Sequence, residues 1–96
     1  MTVVFLSQAS IEFLETVEFY EYQSPGLGLA FKNEFLEAVE FIKLFPTSWK
    51  KAGRHTRKSI LKIFPYLILY IAQQDQIIIT AVAHQHRHPS FYLNRN

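Results

Sequence analysis

The hydrophobic residues of this chain change their period near residue 46, and that switch constrains the fold more than any other feature. Upstream, they recur at helical spacing. Ala9, Phe13, Val17 and Tyr20, with Ile11 and Leu14 alongside, are interleaved with Glu12, Glu15, Glu18 and Glu21 at every third position. This is the pattern of an amphipathic helix from Ser7 to about Gln23, with Ser7 or Ser10 placed to cap it. Ser24-Pro25-Gly26 interrupts it, since proline cannot continue a helical ladder and glycine tolerates the turn. A second helix is predicted from about Leu27 to Leu44, with Phe31, Phe35, Ala38, Ile42 and Phe45 on one stripe and Glu34, Glu37 and Glu40 outward. Phe45-Pro46 stops it.

Downstream, the apolar residues run together. Tyr66 to Ala72 and Ile77 to Ala83 are near-continuous apolar stretches separated by Gln73-Gln74-Asp75-Gln76, which predicts a hairpin of central strands. Val3 to Leu6 predicts a short first strand, Trp49-Lys50-Lys51 a short edge strand, and Arg54 to Lys62 a polar strand after a turn at Gly53. The expected architecture is α+β in the order β-α-α-β-β-β(-β), with a helical hairpin packed on one face of a largely antiparallel sheet. With 96 residues, one core and one domain, spanning 1–96, are expected.

Nine Phe and five Tyr supply that core, and the absence of cysteine excludes a disulfide scaffold and thiolate zinc sites. The first residues carry no basic leader, and the apolar runs are too short to span a membrane as helices, so a cytoplasmic protein is expected. The net charge of +2 conceals a division. Residues 1–45 hold seven acids against Lys32 and Lys43, a formal charge of −5, whereas residues 46–96 hold eight Lys and Arg against Asp75, a formal charge of +7, together with all four His. A basic half of this kind fits an anionic partner, either nucleic acid or an acidic protein segment, or it balances the acidic half of the same fold.

Candidate chemistry concentrates in that basic half. If the last strand persisted, His84, His86 and His88 would share one side and could ligate a metal, but no acidic neighbour orients them, and a solvated strand end is the commoner reading; no metal or other cofactor is expected. Arg54, Arg57, Lys58 and Lys62 lie along the polar strand, where an arginine could stabilise charge on a phosphate while a nearby His or Lys moves the proton of a ribose hydroxyl. The alternative is a basic edge strand that resists aggregation. There is no Gly-rich phosphate loop, a Ser-His-Asp site is limited by the single Asp, and the row Glu12, Glu15, Glu18 and Glu21 reads as a solvated helix surface.

The chain resembles the RelE/ParE toxin superfamily, and within it the ParE-like plasmid-stabilisation branch. The resemblance is carried, over nearly the whole chain, by Ser24-Pro25-Gly26-Leu27-Gly28 with Phe31, then Phe45-Pro46, Gly53 with Arg57, Phe64-Pro65-Tyr66 leading to Tyr70, and Ala81-Val82-Ala83-His84 with Arg87, Pro89 and Tyr92. It implies the growth-inhibiting toxin of a type II toxin–antitoxin system, neutralised by a cognate antitoxin with which it forms a hetero-oligomer. Two activities occur under this resemblance. ParE-like members poison DNA gyrase, which would place Arg57, His84, Arg87 and Arg95 in the target-binding surface. RelE-like members cut messenger RNA on the ribosome, which would make Arg57, His84, Arg87 and Tyr92 catalytic. The arginine that RelE-like nucleases carry inside the penultimate strand falls here near Leu67, and this favours the non-enzymatic reading. A third reading is a non-toxic module that binds an antitoxin or regulates.

Overall fold

The computed structural model describes residues 1–95. Its elements are β1 (Thr2–Phe5), α1 (Ser7–Gln23), α2 (Leu27–Leu44), β2 (Arg57–Ile60), β3 (Tyr66–Gln73) and β4 (Gln76–His84), followed by a single 3-10 turn at Pro89–Phe91. The sheet has the order β1-β4-β3-β2. β2 and β4 each pair antiparallel with β3, while β1 lies parallel to β4, so the expected α+β architecture is present with a mixed sheet. Among the described residues no helix is long and apolar enough to cross a membrane.

The helical hairpin follows from three residues acting together. Gly26 sits at φ +89°, in the left-handed region that favours glycine, and reverses the chain. The Glu21 carboxylate accepts from the Gly26 and Gly28 N–H groups at 3.0 and 3.1 Å, satisfying donors that the start of α2 would otherwise leave open. At Gly28 the helices nearly touch, since a Cβ there would stand 2.6 Å from the Val17 carbonyl oxygen. The capping expected from Ser7 or Ser10 does not occur: α1 begins after Leu6 with no side-chain cap.

Two layers of apolar contact hold the sheet. On the helix side, Phe5, Phe13, Phe31 and Phe35 form a connected set of rings with centroids 4.6 to 6.2 Å apart, extended by Tyr20, Phe64 and Tyr66. On the other side, Leu67, Leu69, Ala81 and Ala83 are covered by Tyr92 and Leu93 of the C-terminal segment and by Ala52. The sheet is thus enclosed on both faces, and Leu67 is a core residue of the second.

The strands differ from expectation in the polar region. Trp49-Lys50-Lys51 forms no strand, only an isolated bridge between Lys51 and Arg57, and the strand expected over Arg54–Lys62 is limited to Arg57–Ile60. The physical reason lies in the loops. Residues 53–56 close into a turn on the Thr56 carbonyl, and the Lys62, Ile63 and Phe64 N–H groups donate to the Glu34 carboxylate at 2.8 to 3.1 Å instead of to a neighbouring strand.

Tyr70 ties this edge to the end of α2. Its ring is fully buried and its hydroxyl donates to the Pro46 carbonyl at 2.8 Å. Burial pushes the phenol above its ordinary value of 10.0, and neighbouring Arg57 pulls it weakly back. The neutral form is favoured by folding, so this stabilisation is intact below about pH 10 and is lost as pH rises through the elevated value. Tyr70→Phe is expected to cost about 1 kcal/mol at neutral pH and to flatten the alkaline decline of Tm. Parallel alkaline declines for the two proteins would contradict this account.

Candidate functional site

The site is built by an irregularity in β4. Leu69 pairs with Ala81 and Tyr70 with Ile79, so Thr80 is an extra residue, a β-bulge whose hydroxyl donates to the Leu69 carbonyl at 3.3 Å. Before the bulge, Ile77 and Ile79 face the helices; after it Val82 does, while Ala81 and Ala83 face away. One inserted residue therefore turns His84 toward the helix side, where its ring meets Tyr66 edge-on at 5.3 Å.

The same stretch of β4 has lost its neighbour. Pairing with β1 ends at Phe5 and Ile79, leaving the strand edge from Thr80 onward without a strand beside it. Side chains occupy it instead. The Glu12 carboxylate accepts from the Val82 N–H at 3.0 Å and from the Arg95 guanidinium at 2.7 Å. Arg95 also donates to the carbonyls of Phe91 at 2.7 Å and Thr80 at 3.5 Å. Glu12 thus closes a backbone edge and anchors the C-terminal arm, residues 85–95, in one contact.

Between α1, the end of β4 and this arm lies a cleft of about 270 Å³, lined among others by Glu15, Phe19, Tyr66, His84, Arg87 and Phe91. The His86 N–H donates to His84 Nδ1 at 3.1 Å, so Nδ1 is an acceptor and the proton of a neutral ring sits on Nε2. Exposed Arg87 lies 4.2 Å over the Phe91 ring, a cation–π contact that holds the guanidinium while leaving its edge open to a partner.

His84, Arg87, Tyr92 and Arg95 are therefore brought together; Arg57 is not. It lies in β2, opposite Tyr70, with its guanidinium donating to the Trp49 carbonyl at 2.8 Å in a separate depression. Tyr92 reaches the cleft, but its ring is packed against the second face of the sheet. The one-sided histidine ladder does not form, because β4 ends at His84 and the chain turns at residues 85–86. His88 instead caps the 3-10 turn, its Nδ1 accepting from the Ser90 N–H at 3.1 Å.

Three glutamates were missed as participants. The expectation of a solvated row is corrected for Glu12 and Glu21, which accept backbone N–H groups, as Glu34 does on the other helix. For Glu12 a signal existed: it stands three residues after Ala9 and four before Thr16, both buried, and so lies on the stripe that enters the fold. The roles of Glu21 and Glu34 depend on loops whose path periodicity does not describe.

A family model described as ParE toxin of type II toxin–antitoxin system, parDE, matches residues 3–89. A chain of a solved structure titled Chromosomal ParDE TA system from P. aeruginosa superposes with a TM-score of 0.75 at 14% sequence identity, over 88% of this chain and 95% of that one. At this identity the likeness shows the fold. No curated protein matches the sequence.

Proposed function

The chain belongs to the ParE toxin family of type II toxin–antitoxin systems, and on that premise we propose that it binds and poisons DNA gyrase in the cytoplasm through the cleft surface that carries His84 and Arg87. The observation that carries this reading is the exposed Arg87 guanidinium, supported on Phe91 beside the His84 ring and the rim residue Phe19. An aromatic-backed arginine next to apolar surface is the composition of a binding hot spot. Cutting RNA is supported less well. Arg57 stands apart from the cleft, Tyr92 is packed, and Leu67 fills the strand position where a nuclease of the superfamily would carry arginine. The grouping of His84, Arg87 and Tyr92 is what favours the ribosome-dependent endoribonuclease as a second reading.

A cognate antitoxin is the expected partner. A hollow of about 250 Å³ between α2 and the end of β2, with Phe41, Trp49 and Ile60 in its lining, offers apolar burial to a segment that orders on binding. Glu34 and Glu37 share that lining with Lys62, so the charge that would attract an acidic antitoxin comes from the basic half outside it.

The test is a supercoiling assay with purified gyrase. Wild-type protein is expected to abolish supercoiling, and Arg87→Ala to need about a tenfold higher concentration to do so, the effect of losing roughly 1.4 kcal/mol of binding. Full supercoiling in a large excess of the wild type would rule the reading out. Messenger cleavage in a translating extract would establish the second reading, and harmless overexpression would favour a non-toxic, antitoxin-binding module.

A further inference from the structure

A second concentration of positive charge lies outside the cleft, in the connection between α2 and β2. The N–H groups of Ala52 and Gly53 donate to the Thr56 carbonyl at 2.8 and 3.3 Å, closing a tight turn. Its tip residues, Arg54 and His55, are exposed while Thr56 is buried. Arg57 is tethered through one nitrogen by the Trp49 carbonyl, which leaves its other N–H groups without a hydrogen-bond partner among the described residues.

These side chains line connected hollows. One of about 470 Å³ is bordered by Lys51, Arg54, His55 and Arg57. A second, of about 350 Å³, shares Arg54, His55 and Ile71 with it and extends to Arg95. Arg95 in turn borders the cleft of His84 and Arg87. Among the described residues no carboxylate lines the first two hollows; in the third, Glu12 is matched by Arg95 and Glu15 remains. The exposed acids Glu18, Glu37 and Glu40 lie on the helical hairpin, so the charge is polarised across the molecule.

We propose that this tract binds the phosphate backbone of duplex DNA. A row of phosphates satisfies guanidinium and ammonium donors in series, and an arginine already tethered at one nitrogen has less freedom to lose when it meets a phosphate. The first two hollows present Ile71, Ala72 and Leu93, and their one aromatic face is the small imidazole of His55; they hold no Phe, Tyr or Trp to form the row of platforms on which single-strand binders stack successive bases. Contacts of this kind position a duplex without reading its sequence. The acidic hairpin repels the same duplex and so selects the face that approaches it.

The experiment is fluorescence polarisation of a short labelled DNA duplex of arbitrary sequence with the purified chain, at increasing salt. Contacts from Lys51, Arg54 and Arg57 predict a slope of about −2.7 in log affinity against log salt, a loss of roughly 40-fold between about 50 and about 200 mM. The double variant K51Q/R54Q is expected to reduce the slope to about −0.9 and the salt-dependent loss to roughly 3–4-fold. K32Q/K43Q removes the same net charge from α2 and should leave the slope unchanged. The proposal is overturned by absence of binding at the lowest salt, by equal slope changes in the two double variants, or by tighter binding of single-stranded DNA, duplex RNA or polyglutamate. Gyrase is absent from this assay, so its failure is separate from failure of the supercoiling test.

Discussion

Truncation of Phe35 to alanine is expected to remove about 3–5 kcal/mol of folding free energy, the largest effect of any single change considered. The ring is fully buried on α2 and lies 4.6 Å from Phe13 on α1, 6.0 Å from Phe5 on β1 and 6.1 Å from Phe31 one turn earlier. It therefore joins both helices and the sheet edge, and no neighbouring element can collapse into the space without separating from another. Phe35→Leu, which keeps most of the volume, should cost well under half as much. Since a domain of this size holds roughly 5–15 kcal/mol in total, the alanine variant should show partial unfolding at moderate denaturant, read as a displaced midpoint in a urea titration. An unchanged midpoint would show that the aromatic set is not the keystone of the helix-side core.

Glu12→Ala is expected to cost about 2–4 kcal/mol, a large effect for a residue on a surface helix. The loss comes from two places 70 and 83 residues away in sequence: the Val82 N–H, in a residue only 3% exposed, is left without its acceptor, and Arg95 without its counter-charge. Glu12→Gln separates them, because the amide oxygen can still accept from Val82 while the ion pair is gone. Its cost should be about half, since the side chains of the pair are 18% and 21% exposed and solvent weakens their attraction. Amide hydrogen exchange at Val82 should accelerate in Glu12→Ala and much less in Glu12→Gln. The arm carries Arg87 and Phe91, so Glu12→Ala should also weaken action on the target. If exchange at Val82 does not respond, the edge is closed by the strand geometry itself and Glu12 is dispensable.

The two predictions differ in how far the residues alone foreshadow them. Phe35 is legible: it sits on the stripe Phe31, Phe35, Ala38 and Ile42, and an aromatic on a strongly apolar helix face enters a core whatever the fold. Glu12 was half legible, since its place on the buried stripe could be counted but its two partners could not. The same limit explains the site. His84, Arg87, Tyr92 and Arg95 lie within one short C-terminal stretch and converge, whereas Arg57, grouped with them by charge and resemblance, lies on another strand opposite Tyr70.

What the sequence by itself determined is local: two helices at Ser7–Gln23 and Leu27–Leu44, the glycine-bearing reversal between them, the central hairpin, and the segregation of acid from base. Helical and strand periods arise from backbone geometry within a few residues, so they are written where they act. Only the tertiary structure decided that Thr80 is a bulge and hence which way His84 faces, that β1 stops short and leaves the β4 edge to Glu12, and that the arm returns to α1 through Arg95. Each of these is a meeting of groups distant in the chain, settled by which donors and acceptors remain unpaired once the layers have packed.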